Sequence, residues 1–164
     1  MRTIVVIAHD IRSTHNVGSL LRTCEGLGVQ TVYLTGYTPY PRQEHDLRLP
    51  HIADKLTKQI QKTALGAETL ISWQHETDVR IVLAQLHQAG FQVAALEQAG
   101  GSQPLPRFRP PDKLALLLGR EVEGIEPELV ALCDTTLEIP MFGQKESFNV
   151  VQAAAMALYH CRFA

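Results

Sequence analysis

Three stretches of this 164-residue chain place polar side chains where a strand passes through a loop into a helix. The first is His9-Asp10-Ile11-Arg12-Ser13-Thr14-His15-Asn16-Val17-Gly18-Ser19-Leu20-Leu21-Arg22. It carries an amide at Asn16, a glycine at Gly18 and a guanidinium at Arg22. At about 100° per residue Arg22 lies opposite the Val17/Leu20/Cys24 stripe, free to reach a cleft or a partner; it reads equally as a surface arginine. The second stretch, Leu116 to Ile125, runs a buried strand into Gly119-Arg120-Glu121-Val122-Glu123-Gly124. A glycine where a strand leaves a sheet lets a ligand approach the backbone closely, although an ordinary turn has the same look. The third stretch, Leu137 to Val150, holds Ile139-Pro140-Met141 and then Ser147-Phe148-Asn149. Ser147 is a loop hydroxyl, and Asn149 with Gln152 three residues later also fits a helix capping box. The chemistry on offer is ligand binding at the carboxyl ends of strands, where α/β sheets place their crevices.

The elements around these stretches alternate. Ile4–Ala8 is a short β-branched run, and Ser13 or Thr14 caps a helix with apolar residues at 17, 20, 21, 24 and 27, ended by Gly28. Thr31–Thr35 is the next strand. Residues 36–50, with Gly36, Pro39, Pro41 and Pro50, read as a long loop followed by two or three shorter elements. These include a helix from Asp78 to Ala89. Phe91–Leu96 and Leu114–Leu118 are continuous apolar runs, as expected for strands buried on both faces. Gly100-Gly101-Ser102-Gln103-Pro104 reads as a flexible linker between them. Glu126-Pro127-Glu128 starts a short helix, Thr136–Ile139 is a last strand and residues 149–162 form a last helix. The pattern predicts an α/β fold, a mostly parallel sheet with helices on both faces, in a single domain over residues 1–164. Val150, Val151 and Ala153 to Leu158 leave only Gln152 polar, so the last helix must be covered on more than one side. Central burial or a homodimer interface would do this.

Composition sets the class. Hydrophobic residues make up 45% and charged residues 20%, which is ordinary for a globular protein. The apolar runs are too short to span a membrane, and Met1-Arg2-Thr3 leads straight into a strand without a signal-peptide pattern. Cys24, Cys133 and Cys161 form no CxxC pair and read as core residues in a reducing compartment, so a cytoplasmic setting is expected. The net charge of −2 argues against a wide, sequence-blind grip on nucleic acid. Its distribution is uneven. Residues 1–62 carry eight lysines and arginines against five acids, net +3, whereas the other 102 residues carry seven against twelve, net −5. A basic face from Arg42, Arg48, Lys55, Lys58 and Lys62 is one outcome of that asymmetry, a scattered solvated surface the other.

Several chemistries lack their signatures. There is no GxSxG elbow, no phosphate-binding GxxxxGK[ST] loop and no GxGxxG after a strand. The seven histidines form no HxxxH pair and have no cysteine cluster beside them, so no metal is expected.

Taken in order, the three stretches resemble the motifs of the SpoU/TrmH family of RNA ribose 2′-O-methyltransferases. In the first motif an asparagine, a glycine two residues on and an arginine four further on open a helix, as Asn16, Gly18 and Arg22 do here. Gly119-Arg120-Glu121-Val122-Glu123-Gly124 resembles the second motif, and Ile139-Pro140-Met141 with Ser147-Phe148-Asn149 the third. Phe148 stands where leucine is common, and Arg120 sits between the second motif's glycine and glutamate. The resemblance runs from Asn16 to Val150 and implies a minimal family member whose C-terminal segment forms a trefoil knot. It implies S-adenosylmethionine as cofactor, held by Leu96, Gly119, Ile139, Met141 and Ser147. It implies Arg22, Asn16, Glu121, Ser147 and Asn149 as the catalytic set, with Arg22 either the base for a ribose hydroxyl or the stabiliser of the alkoxide. The implied partners are an RNA substrate, tRNA or rRNA, and a second copy of the chain, with the site at their interface. The alternative is a non-catalytic RNA-binding or assembly factor of the same fold.

Overall fold

A computed structural model describes all 164 residues. Strand β1 (Thr3–His9) leads into helix α1 (Thr14–Gly26), then β2 (Thr31–Thr35), α2 (Pro50–Ala64), a short α3 (Ala67–Leu70) and β3 (Ser72–Glu76). Helix α4 (Val79–Gln88) connects to β4 (Gln92–Leu96), and the two-residue β5 (Gln103–Pro104) leads to β6 (Lys113–Leu118). The short α5 (Pro127–Val130), β7 (Thr135–Glu138) and α6 (Val150–Phe163) complete the chain. The seven strands form one sheet in the order β3-β2-β1-β6-β4-β7-β5, and every pairing is parallel.

Both faces of the sheet are covered, and strand alternation shows how. In β1, Ile4, Val6 and Ala8 join a core with α1, α2 and α6, while Val5 and Ile7 join a second core with α4 and α5. In β6, Leu114, Leu116 and Leu118 face the first core and Ala115 and Leu117 the second. That two-sided burial is why the strands read as unbroken apolar runs. Because all seven strands are parallel, their carboxyl ends share one edge, where the loops after β1, β4, β6 and β7 gather. The chain builds β2 and β3 on one side of β1 and then places β4 on the other, with β6 between β1 and β4.

Two predicted segments differ. The region after residue 49 is not a set of short elements but begins with the 15-residue α2. Its buried residues Ala53, Ile60 and Ala64 are few and small, so its apolar signal is thin. The supposed linker at residues 100–104 contributes β5, an edge strand paired to Leu137 and Glu138.

The α1–α2 crossing depends on Gly18. A Cβ there would stand 2.2 Å from the Ile60 carbonyl oxygen and 2.1 Å from Thr63 Oγ1, so only a hydrogen fits. Thr63 Oγ1 also donates to the His15 carbonyl at 2.8 Å. At the other end, the Arg162 guanidinium donates to the carbonyls of Arg2 (2.6 Å), Leu27 (3.0 Å) and Gly28 (2.8 Å), fastening α6 beneath the start of β1 and the end of α1. Gly18→Ala is therefore expected to cost about 1–3 kcal/mol in denaturant unfolding, as overpacked sites do. Gly26→Ala, with open space around it, should be neutral or gain about 0.4–1 kcal/mol.

Candidate active site

A cleft of about 280 Å³ opens at the carboxyl ends of β4, β6 and β7. Its floor is the turn from Gly119 to Gly124, closed by paired backbone hydrogen bonds between Arg120 and Gly124 at 3.1 and 3.2 Å. The turn admits no side chain at Gly119, where a Cβ would stand 2.5 Å from Ile125 Cγ1 and 2.8 Å from the Gly124 carbonyl carbon. From β4, Glu97 holds the far side of the turn by accepting the Ile125 amide at 2.8 Å. Leu96, Leu118, Leu137 and Ile139 supply the apolar wall, and Glu97, Glu121, Glu123, Glu138 and Glu146 supply carboxylates. Ser147 and Phe148 close the side next to α6.

One carboxylate joins the three sequence stretches. Glu121 Oε1 accepts from the Ser13 amide at 3.1 Å and from Asn16 Nδ2 at 3.2 Å, while Oε2 accepts from the Arg12 amide at 3.2 Å. Asn16 Oδ1 in turn accepts from Asn149 Nδ2 at 3.3 Å. Asn149 Oδ1 accepts from the amides of Val151 and Gln152, capping α6. One end of the Asn149 side-chain amide thus caps α6 and the other reaches Asn16. Burial pushes the Glu121 carboxyl towards a higher pKa, but the amides of Ser13 and Arg12 and the Asn16 side chain outweigh it and hold the group below its usual range.

Placement of the predicted residues is uneven. Leu96, Gly119, Ile139 and Ser147 line the cleft, as does Glu121. Asn16 and Asn149 stand behind it in the Glu121 network. Met141, three residues past the end of β7, is half-buried but does not line the cleft. Arg22 is exposed on α1, makes no side-chain hydrogen bond or ion pair, and is also absent from the cleft wall. Within one chain the structure does not bring Arg22 to Ser147. Sequence reasoning missed Glu97, although it directly follows Leu96 at a strand end, which is the position where site residues collect. It also missed the convergence of His9, Asp10 and Glu126 at the end of β1, because their separation in sequence hides it.

A doubly covered parallel sheet with a cleft at its strand ends, floored by a glycine-bounded turn, defines an α/β protein with a ligand-binding crevice. Residues 3–159 match the SpoU rRNA Methylase family, and the chain belongs to that family. It is 25% identical over 161 residues to the tRNA (guanosine(18)-2′-O)-methyltransferase of Aquifex aeolicus, covering 98% of this chain and 69% of that protein. It is 28% identical to the 23S rRNA (guanosine-2′-O-)-methyltransferase RlmB of Neisseria meningitidis, covering 97% of this chain but 58% of the relative. The fold matches the AdoMet-bound rRNA methyltransferase of Sinorhizobium meliloti with a TM-score of 0.82 at 23% identity, over 98% of this chain and 56% of that one. The chain thus spans only part of the length of these relatives.

The Glu121 network carries a pH signature. A carboxyl whose folded pKa is depressed adds stability above its ordinary value of 4.5 and loses it as pH falls through the lower folded value. Urea melts of wild type and Glu121→Gln should therefore differ above pH 5 and converge as the solution is acidified below pH 4. A gap unchanged between pH 7 and pH 3 would remove the charged network from the account.

Proposed function

We propose that this chain is an RNA methyltransferase that moves a methyl group from S-adenosylmethionine to a ribose 2′-oxygen of tRNA or rRNA. The observation that carries this reading is the Glu121–Asn16–Asn149 network, which draws all three motif junctions to the rim of one cleft. The donor supplies an electrophilic methyl on a cationic sulfonium. The lining fits such a group, because its five carboxylates outnumber its one cation, Arg120, and favour a positive charge. Leu96 and Ile139 offer apolar surface to a planar base, Gly119 contributes backbone to the wall, and Ser147 offers a hydroxyl. The chain's own task is then to orient the acceptor hydroxyl and to hold the charge that develops on it.

An acidic cleft repels phosphates, so the RNA backbone must be held elsewhere. Arg42 and Arg48 are occupied. Arg42 pairs with Asp54 at 3.0 Å, and Arg48 pairs with Asp46, donates to the carbonyls of Tyr40 and Pro41, and stacks on the Tyr40 ring. Lys55, Lys58 and Lys62 are exposed on α2 and take part in no ion pair. Their spacings of three and four residues put them about 4.5 and 6 Å apart along the axis, a stripe suited to successive phosphates.

The same reading makes the working unit a homodimer. α6 leaves Met156, Tyr159 and Phe163 exposed beside Ala155, with the Tyr159 and Phe163 rings 4.8 Å apart. A second copy covering this face would bury an apolar patch that water does not favour. It would also be the source of an arginine for the cleft, since Arg22 lies outside the cleft of its own chain. We further read the C-terminal segment as knotted, on the support that β7 enters between β4 and β5 and that residues 146–148 pass against the 119–124 turn on the way to α6. A reducing, cytoplasmic setting agrees with three unpaired cysteines.

Calorimetry should show one S-adenosylmethionine per chain, and mass spectrometry should detect ribose 2′-O-methylation of tRNA or rRNA; absence of donor binding overturns the reading. Arg22→Ala should lower kcat by at least about 100-fold at unchanged donor affinity, as loss of a group acting on the developing charge does. Tyr159→Asp with Phe163→Asp should yield monomers in ultracentrifugation with the same loss of turnover. Replacing Lys55, Lys58 and Lys62 by glutamine should weaken RNA binding and reduce the salt slope of log K by about two to three.

A further inference from the structure

A second constellation sits outside the cleft, where β1 ends. His9 is only 8% exposed. Its Nδ1 is bound to Thr35 Oγ1 at 3.0 Å, and its Nε2 points at two carboxylate oxygens, Asp10 Oδ2 at 3.3 Å and Glu126 Oε2 at 3.6 Å. These atoms, one from each residue, lie within 4.8 Å of one another. With Nδ1 held by Thr35, the ring directs Nε2 at both carboxylates, and neither contact is as short as the Nδ1 bond.

The remaining polar atoms of the three residues are already engaged. Asp10 Oδ1 accepts the Tyr37 amide at 2.9 Å, which leaves Oδ2 facing His9. Glu126 Oε1 faces Arg120 Nη1 at 3.9 Å, which leaves Oε2 on the same side. Thr35 fixes the ring plane of His9. This is the arrangement of outer partners that orients ligands around an ion. The spacing agrees too. Two ligands about 2.1 Å from one ion and near right or tetrahedral angles stand about 3.0–3.4 Å apart, close to the 3.3 and 3.6 Å found here.

We propose that His9, Asp10 and Glu126 form a binding site for one divalent transition-metal ion, with water in the open coordination positions. An imidazole with two carboxylates suits Mn²⁺ or Zn²⁺ better than Mg²⁺ or Ca²⁺, which favour all-oxygen sets. The bound ion clamps the loop after β1 to the segment that follows the Gly119–Gly124 turn, and so steadies the floor of the neighbouring cleft from behind. Sequence spacing could not show this site, since its ligands span residues 9 to 126 and include no histidine pair or cysteine. The proposal does not rest on the methyl-transfer reading.

Mn²⁺ alone is the probe, because it avoids thiols. Metal-free protein titrated with Mn²⁺, followed by loss of the free-ion electron paramagnetic resonance signal, should take up one ion per chain, with a rise in melting temperature. Glu126→Gln and His9→Gln should each weaken uptake at least about tenfold, and Thr35→Val, which touches no ligand oxygen, by about 10–100-fold. Glu126 is on the protein's edge, so E126Q should melt like metal-free wild type and remain interpretable if H9Q does not fold. Lack of uptake at millimolar Mn²⁺ overturns the proposal and leaves the constellation an imidazole–carboxylate pair. Undiminished uptake by E126Q overturns it as well.

Discussion

The site depends on a single carboxylate accepting three donors. Glu121 takes the amides of Arg12 and Ser13 and the side chain of Asn16, and Asn16 accepts from Asn149. These residues come from the loop after β1, the first turn of α1, the turn after β6 and the start of α6. Segments more than 100 residues apart in sequence are therefore registered against each other by polar contacts. Apolar packing could not do this, because it is non-directional and sets the distance between layers rather than the position of a loop. The bonds are charge-assisted at Glu121, which makes them stronger than neutral ones. An amide at position 16 is required because it donates to a carboxylate through Nδ2 while accepting through Oδ1; a second carboxylate could do only the latter.

The sheet makes that arrangement possible. Seven parallel strands with helices on both faces send every carboxyl end to one edge, and the reversal of strand order around β1 and β6 opens a crevice there. The cleft lies beside β6, and the His9–Asp10–Glu126 group lies at the end of β1, so the two constellations share the Gly119–Glu126 segment. The charge separation follows the same geometry. Acids collect at the strand ends, while the unpaired lysines lie on α2, which packs against α1 through Gly18. Asn16 and Gly18, two residues apart, thus connect the cleft and the basic helix.

How much of this was legible depended on sequence distance. The strands buried on both faces were plain, because Ile4–Ala8 and Leu114–Leu118 have no polar residue to hide. The first helix's cap was narrowed to Ser13 or Thr14, and the structure shows Ser13, while the helix begun at Asp78 has that side chain as its cap. Helix α2 was missed because Ala53 and Ala64 bury little apolar area, and β5 because two residues beside glycines carry no period. In the site, Gly119 was legible as a glycine where a strand leaves the sheet, whereas Leu96 and Ile139 were named only through the resemblance to the family; all three line the cleft. Met141 could not be placed, because it lies in the irregular segment after β7, where no strand period fixes a side chain's direction. Glu97 and Glu126 do their work through partners 28 and 117 residues away, separations that no local pattern encodes.

Arg22 is where the single chain falls short. It was singled out by the resemblance to the family's first motif, and the structure keeps it on the polar side of α1, exposed and unpaired. A helix position six residues after Asn16 is about 9 Å further along the axis, so the network that anchors Asn16 cannot also deliver Arg22 to the cleft. The guanidinium on the cleft wall is that of Arg120, engaged with the Gly124 carbonyl, while α1 holds Arg22 on the side opposite the buried Val17, Leu20, Leu21 and Cys24. In the proposed homodimer, a second chain is the remaining source of contacts at the cleft. The exposed Tyr159 and Phe163 on α6 give that chain a surface, and α6 begins at Asn149, on the cleft's own network. Covering that face with a second copy would therefore act on the same hydrogen-bonded frame that shapes the cleft. Assembly and site completion would then be one event rather than two.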